Sequence, residues 1–254
     1  DDYLKIVKKY SRGLIARYKM AGQITLGLIV GIIIIIHPDV TQHVTSISIP
    51  FVANGTLDIG WIFYLLLLVL VITGTSNAVN LTDGLDGLAT GLVAIATLVF
   101  GAIAYATGRL DYSNYLNIIY LPGTGELFVF CQAMIGASIG FLWFNANPAK
   151  IFMGDIGSLS MGAALGTLAV LLKKEILLIL IGGVFVIESL SVMLQIYYFK
   201  YTKKKYGEGR RILRMAPLHH HFELAGWPEN HVVVRFWIMG ILLALISLST
   251  FKIQ

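Results

Sequence analysis

The chain has 254 residues, of which 57% are hydrophobic and only 13% charged, about half the charged share of an ordinary soluble domain. That composition excludes a water-soluble globular enzyme and points to a protein that lives in lipid. A single cysteine, Cys131, placed in the middle of an apolar stretch, excludes a disulfide framework and a thiolate metal site and reads as a core packer.

The chain opens on two carboxylates, Asp1 and Asp2, with no methionine or signal peptide before them, so an amino-terminal piece is expected to precede them. Seven apolar stretches then follow, each long enough to cross a hydrocarbon core of about 30 Å as a helix. They run from Met20 to Ile36, Ile59 to Val79, Leu88 to Thr107, Leu127 to Ala146, Ile156 to Leu172, Ile176 to Phe199 and Phe236 to Phe251. Runs such as GLIVGIIIII and YLLLLVLVI are apolar on every side and lack the period-2 alternation of a membrane barrel. The expected fold is an all-α polytopic integral membrane bundle. No fixed-period repeat, linker or low-complexity segment divides it, so residues 1–254 read as one domain.

Basic residues orient the bundle. With seven crossings, fifteen of the nineteen Lys and Arg fall on one side, and only Arg109, Lys173, Lys174 and Lys252 on the other. This positive-inside bias makes the basic side cytosolic. It also accounts for the net charge of +5 as attraction to anionic headgroups of membrane lipids, with no nucleic-acid partner implied. The external loop from His37 to Asp58 holds β-branched residues, prolines and a turn-like Asn54-Gly55, which predict a small hairpin or flap. Tyr112, Tyr115 and Tyr120 in the next external loop suit the headgroup level. His37 and His43 read as interfacial polar groups.

The cytosolic loops carry the candidate chemistry. In NAVNLTDGLDG, Asn80, Asp83 and Asp86 recur every three residues, which on helical geometry puts neighbours on one face. Carboxylates so spaced suit Mg²⁺, which takes one or two of them plus substrate phosphates; the plainer alternative is a pair of capping aspartates. In NANPAKIFMGDIGS, Pro148 ends one helix and Asp155 stands where the next begins. There it either holds a metal beside a phosphate at a helix N-terminus or simply caps that helix. In RRILRMAPLHHHFE, the adjacent His219, His220 and His221 cannot all point one way, so a three-histidine zinc site is poor geometry, although two of them can donate to a polyanion. Five aspartates, Asp1, Asp2, Asp83, Asp86 and Asp155, thus share one membrane face, a pattern that suits a metal and a diphosphate.

The stretches NAVNLTDGLDGLA, FLWFNANPAKIFMGDIGS and MAPLHHHFELAGWPENHVVVRFW, with the opening DDYLK, closely resemble the polyprenyl-phosphate N-acetylhexosamine-1-phosphate transferases over essentially the whole chain. The triple histidine followed by Phe-Glu resembles the bacterial branch acting on UDP-MurNAc-pentapeptide. That resemblance implies ten membrane helices, both ends outside the cytosol, and location in the bacterial inner membrane with a cytosolic site. It implies Mg²⁺-dependent transfer of phospho-N-acetylmuramoyl-pentapeptide to undecaprenyl phosphate, giving lipid I and UMP for peptidoglycan synthesis, with a homodimer as a candidate assembly. By the same resemblance Asp155 contacts the metal and Asp1 and Asp2 match the catalytic first-loop pair. Asn80, Asp83, Asp86, Asn145 and Phe152 match the nucleotide site, Phe152 as a surface for uracil, and His219, His220 and His221 lie beside the metal.

Physical chemistry favours one route within that reaction. A phosphate monoester, with a second pKa near 6, is already about nine-tenths ionised at neutral pH, so a general base adds little. Asp1 and Asp2 then serve mainly to order the lipid phosphate. A carboxylate on Mg²⁺ is a blunted nucleophile, which favours direct attack by the lipid over a phospho-enzyme at Asp155. Two alternatives stay open: a relative using UDP-N-acetylglucosamine, and, in a different class, a cation-coupled transporter built around Glu188, which sits in an apolar stretch after Gly182-Gly183. Glu188 reads more simply as a protonated or hydrogen-bonded bundle contact.

Overall fold

The computed structural model describes residues 9, 15–36, 44–50, 52 and 55–252. The expectations placed on Asp1, Asp2, His37 and His43 lie outside these residues.

In chain order the elements are α1 (Ala16–Ile36), a hairpin of β1 (Ser46–Ser48) and β2 (Thr56–Asp58), α2 (Gly60–Thr82), α3 (Leu88–Thr107), the short α4 (Leu110–Tyr115), α5 (Thr124–Asn145) and α6 (Gly154–Leu171). They continue with α7 (Leu177–Ile181), α8 (Gly183–Tyr206), α9 (Leu218–Leu224) and α10 (Glu229–Ser249), closed by a 3₁₀ turn at Thr250–Lys252. The protein is an all-α polytopic membrane protein: α1, α2, α3, α5, α6 and α10 are each long and apolar enough to cross a bilayer.

The sixth expected crossing, Ile176 to Phe199, departs from a single helix. It breaks at Gly182 into α7 and α8, because two adjacent glycines lack the side chains that stiffen a helix. At 24 residues, α8 is still about 36 Å long, but Glu188, Gln195 and its lysine-rich end make it more polar than the six. The last helix begins at Glu229, well before the expected Phe236. Its polar opening turns remain helical at the bundle's end, where the Arg235 guanidinium lies 4.0 Å from the centroid of the Trp227 ring.

Helix α3 lies at the centre, with fourteen of its twenty residues buried. Its Leu88, Leu92, Val99, Phe100 and Ile103 join Leu165 and Leu168 of α6, Val232 and Phe236 of α10 and Cys131 of α5 in one core. In lipid the hydrophobic effect gives helices little reason to associate, so close backbone contact matters more. It occurs between α2 and α6. A Cβ on Gly162 would lie 2.6 Å from the carbonyl oxygen of Thr75, and one on Gly166 would lie 3.0 Å from Cα of Ile72. This one-turn glycine pair lets α2 and α6 touch along their length, which fixes their ends, and therefore Asn80 and Asp155, side by side.

The expected hairpin is present, antiparallel, with Ser46 opposite Asp58 and Ser48 opposite Thr56. It lies at the end of the bundle away from Asp83 and Asp155. There the side chains of Lys173 and Lys174 fasten it, reaching the carbonyl of Val44 at 2.7 Å and Oγ of Ser48 at 3.3 Å respectively.

Candidate functional site

Three connections meet at the other end: the turn from α2 to α3, the loop from α5 to α6, and the stretch between α8 and α10 that contains α9. Between the first two lies a cleft of about 330 Å³ lined by Asn80, Asp83, Gly84, Asp86, Asn145, Phe152, Gly154 and Asp155 among others. Six sequence-selected residues from two distant segments thus share one cavity.

Each reaches the cleft differently. Helix α2 ends at Thr82, so only Asn80 of the Asn80, Asp83, Asp86 series is helical. The shared helix face expected of the three is absent, because the helix stops before Asp83 and a short turn carries Asp83 and Asp86 to the next helix. Asp83 is the residue just past the helix, its N–H held by the carbonyls of Val79 and Asn80. Asp86 points to the α5–α6 loop, where its Oδ2 accepts from the Ala149 N–H at 2.9 Å and from Nδ2 of Asn147 at 3.3 Å. Its own N–H donates to Glu229 at the start of α10.

Asn145 ends α5 and is buried. Its amide is engaged at both ends, accepting from Thr90 Oγ1 at 2.8 Å and donating to the Ile151 carbonyl at 2.9 Å. Asp86 and Asn145 therefore hold the 146–151 loop from two sides. The next residue, Phe152, is 73% exposed at the cleft, a broad flat ring on a braced loop.

Asp155 lies in the first turn of α6, which starts at Gly154, slightly earlier than the expected Ile156. Its carboxylate accepts from Nδ2 of Asn80 at 3.1 Å and pairs with the ammonium of Lys19 on α1. Asn80 also donates to Ser158 at 2.9 Å, which locks the amide that aims Asp155. Burial, and then the negative charge of Asp155, push the Asp83 carboxyl up to about 6. Two neighbouring carboxylates, with hard oxygen donors and a cleft beside them, make a donor set suited to a divalent cation such as Mg²⁺. Among the described residues no group of three or more His, Cys, Asp or Glu gathers as a metal cage.

The histidines do not all point one way: two of them approach Gly84 and the third turns elsewhere. His219 is completely buried and packs on Gly84, where an added Cβ would lie 2.3 Å from its Nε2. His220 Nδ1 lies 2.6 Å from a Glu223 carboxylate oxygen, and its Nε2 also faces Gly84, 3.2 Å from the same Cβ position. A carboxylate on one ring nitrogen fixes the other for contact with a ligand. His221 Nδ1 accepts the Arg214 N–H at 3.1 Å, which leaves the proton of the neutral ring on Nε2. The basic loop is more structured than ordinary positive-inside charge: the Arg214 guanidinium donates to the Leu224 carbonyl at the end of α9.

Two participants were not singled out by sequence. Lys19 was counted only as orienting charge, and Glu223 only as part of a motif. A signal for Lys19 existed: with Gln23 it forms an i, i+4 polar pair on an otherwise apolar helix. That stripe continues into α2 through Asn77, which donates to Gln23 at 2.7 Å. Beside it runs a second cavity of about 370 Å³, lined by Tyr18, Gly22, Leu26, Ile72, Leu159 and other residues, with Lys19 and Asp155 on its wall. Asp155 therefore borders both a polar cleft and an apolar groove.

Comparison with known proteins gives this geometry a context. Residues 1–173 match the family described as glycosyl transferase family 4. A phospho-N-acetylmuramoyl-pentapeptide-transferase from Thermodesulfovibrio yellowstonii is 55% identical over the whole of this chain and 68% of its own length. Proteins of the same name from Chloroherpeton thalassium and Chlorobium luteolum are 52% and 51% identical, again over the whole chain and 69% of each relative.

Proposed function

The chain belongs to glycosyl transferase family 4 and, within it, to the phospho-N-acetylmuramoyl-pentapeptide transferases, and from this premise we propose that it transfers phospho-N-acetylmuramoyl-pentapeptide from its UDP-activated form to undecaprenyl phosphate. It is an enzyme, a phosphoglycosyl transferase of peptidoglycan synthesis. The observation that carries the finer reading is the convergence of Asn80, Asp83, Asp86, Asn145, Phe152 and Asp155 on one cleft whose wall is shared with an apolar groove.

The reaction needs positioning and charge neutralisation more than covalent chemistry. The exposed ring of Phe152 offers uracil a stacking face, and Asp86 and Asn145 keep the loop beneath it still. Asp155, aimed by Asn80, would hold Mg²⁺ with Asp83 adding negative charge beside it; the ion, when bound, neutralises the diphosphate as UMP departs. His220, oriented by Glu223, and His221 offer donors to the phosphates. The isoprenoid chain lies along the groove between α1, α2 and α6, and Lys19 meets its phosphate where the groove reaches Asp155. Asp1 and Asp2 order that phosphate.

A phosphate oxygen of the lipid attacks the sugar-bearing phosphorus, the bond to the UMP oxygen breaks, and UMP leaves with that electron pair. No proton needs removing from an acceptor that is already mostly dianionic. The reading places the enzyme in the bacterial inner membrane with this cleft facing the cytosol. The transporter alternative weakens because Glu188, its key residue, is bonded to protein N–H groups.

The test is UMP release in detergent. UDP-MurNAc-pentapeptide with undecaprenyl phosphate and Mg²⁺ is expected to yield UMP and the lipid diphosphate, with UDP-N-acetylglucosamine at least about a hundredfold poorer, on the order of 3 kcal/mol of discrimination. Equal turnover of the two nucleotide sugars overturns the substrate assignment. UMP released at enzyme stoichiometry without lipid, with label held on Asp155, overturns direct attack.

A further inference from the structure

Glu188 is wholly buried in α8, and neither the cleft nor the groove described above contains it. Its carboxylate turns toward α9: Oε2 accepts the Leu218 N–H at 2.7 Å and Oε1 the His219 N–H at 3.2 Å. His219 Nδ1 also lies 3.3 Å from Oε2. The first N–H groups of a helix have no partner within it and are ordinarily met by the side chain just before it. Here that residue is Pro217, and no side chain of its own caps the helix. The cap comes instead from a carboxylate thirty positions earlier, on a different helix.

The consequence is geometric. The start of α9 is fixed to α8, and the ring of His219, next in line, packs on Gly84 in the turn that carries Asp83 and Asp86. A buried line therefore runs from α8 through Glu188 and His219 to the cleft wall. The same helix α8 lines another apolar cavity, of about 340 Å³, with Phe185, Val186 and Leu190.

We infer that Glu188 is a positioning residue for the transfer reaction: its two carboxylate oxygens set the height and rotation of α9, and so the placement of His219 and His220 against Gly84 in the cleft wall, without touching substrate. This rests on the reaction proposed above. A carboxylate suits the task because both oxygens accept. A glutamine would turn an NH₂ toward one of the two N–H groups and lose that bond.

Two measurements on E188Q test this. Hydrogen exchange, read without substrate, is expected to quicken about tenfold or more at the amides of Leu218 and His219, in line with a lost charged hydrogen bond of about 1.5–3 kcal/mol. Steady-state UMP release is expected to show kcat at least about tenfold lower with KM for the nucleotide sugar within about twofold. E188D, which keeps both acceptors one methylene back, recovers part of kcat. Unchanged exchange, unchanged kcat, or an E188D no better than E188Q overturns the inference. For an E188Q protein that does not fold, L218P deletes the donor at the first helical position, which suits proline. Against an L218A control it is expected to lower kcat, and equal kcat in the two counts against the inference. Faster exchange in E188Q combined with no UMP release by the wild type retires the reaction and leaves the cap standing.

Discussion

Both ends of this bundle bury ionisable groups, but they treat them in opposite ways. At the hairpin end, Lys173, Lys174 and Glu175 are all buried and answer one another. Lys173 donates to the Tyr64 hydroxyl at 2.6 Å, and that hydroxyl donates to Glu175 at 2.9 Å. Lys174 lies 5.2 Å from the centroid of the Phe251 ring. Burial lowers both lysines to about 8, with the Glu175 charge working against the shift. Opposite charges are interleaved and turned inward, which makes a fastening. At the cleft end, Asp83 and Asp155 have the same sign, and burial, then the Asp155 charge, raise the cost of charging Asp83. The lesson is that burial of charge alone does not mark a functional site; like charges brought together beside open space do.

Four substitutions sharpen or break that contrast. The largest effect is expected from D155N, which should lower kcat by about a thousandfold, on the order of 4 kcal/mol, with the folded fraction unchanged, as read by UMP release and thermal melting. K173M removes the cation that bridges the hairpin to Tyr64, and breaking a buried pair costs about 3–5 kcal/mol. The melting temperature should fall, while kcat per folded molecule stays at the wild-type value. A K173M enzyme that is stable but slow would erase the distinction between the two ends. G84A puts a methyl group against the fixed ring of His219 and is expected to cost about a hundredfold in kcat, about 2.7 kcal/mol. The smallest effect is D83N. The folded state holds the Asp83 proton more tightly than an unfolded chain does. This group therefore takes stability away as pH rises from its ordinary 3.8 through about 6. Asparagine avoids that loss, so D83N should melt higher at pH 7 without divalent cation, by on the order of 1 kcal/mol after discounting for partial exposure, and be the less active enzyme.

Much of the helix layout was legible in the sequence because the bilayer imposes long apolar runs. Leu88 to Thr107 matches its helix end for end. The hairpin, too, followed from turn residues and β-branching. What the sequence concealed was direction. The three-residue spacing of Asn80, Asp83 and Asp86 suggested one helix face, but the helix stops at Thr82, and Asp83 and Asp86 reach the cleft from a turn. Lys173 and Lys174 counted only as external charge; the structure buries them, because partners more than a hundred residues away, Val44, Ser48 and Tyr64, complete them. Lys19 was hidden for the reverse reason: one basic residue among many on a cytosolic flank looks like orientation until α2 and α6 bring Asp155 to it.

The central claim is that the cleft end brings Asp83 and Asp155 together beside open space, where they can take a divalent cation. Thermal melting of the wild type and D155N across a Mg²⁺ titration tests it most directly. A ligand at a hundred times its dissociation constant stabilises by about 2.7 kcal/mol, so the wild type is expected to melt several degrees higher as Mg²⁺ rises, with D155N flat. A D155N protein that gains as much as the wild type would contradict the account.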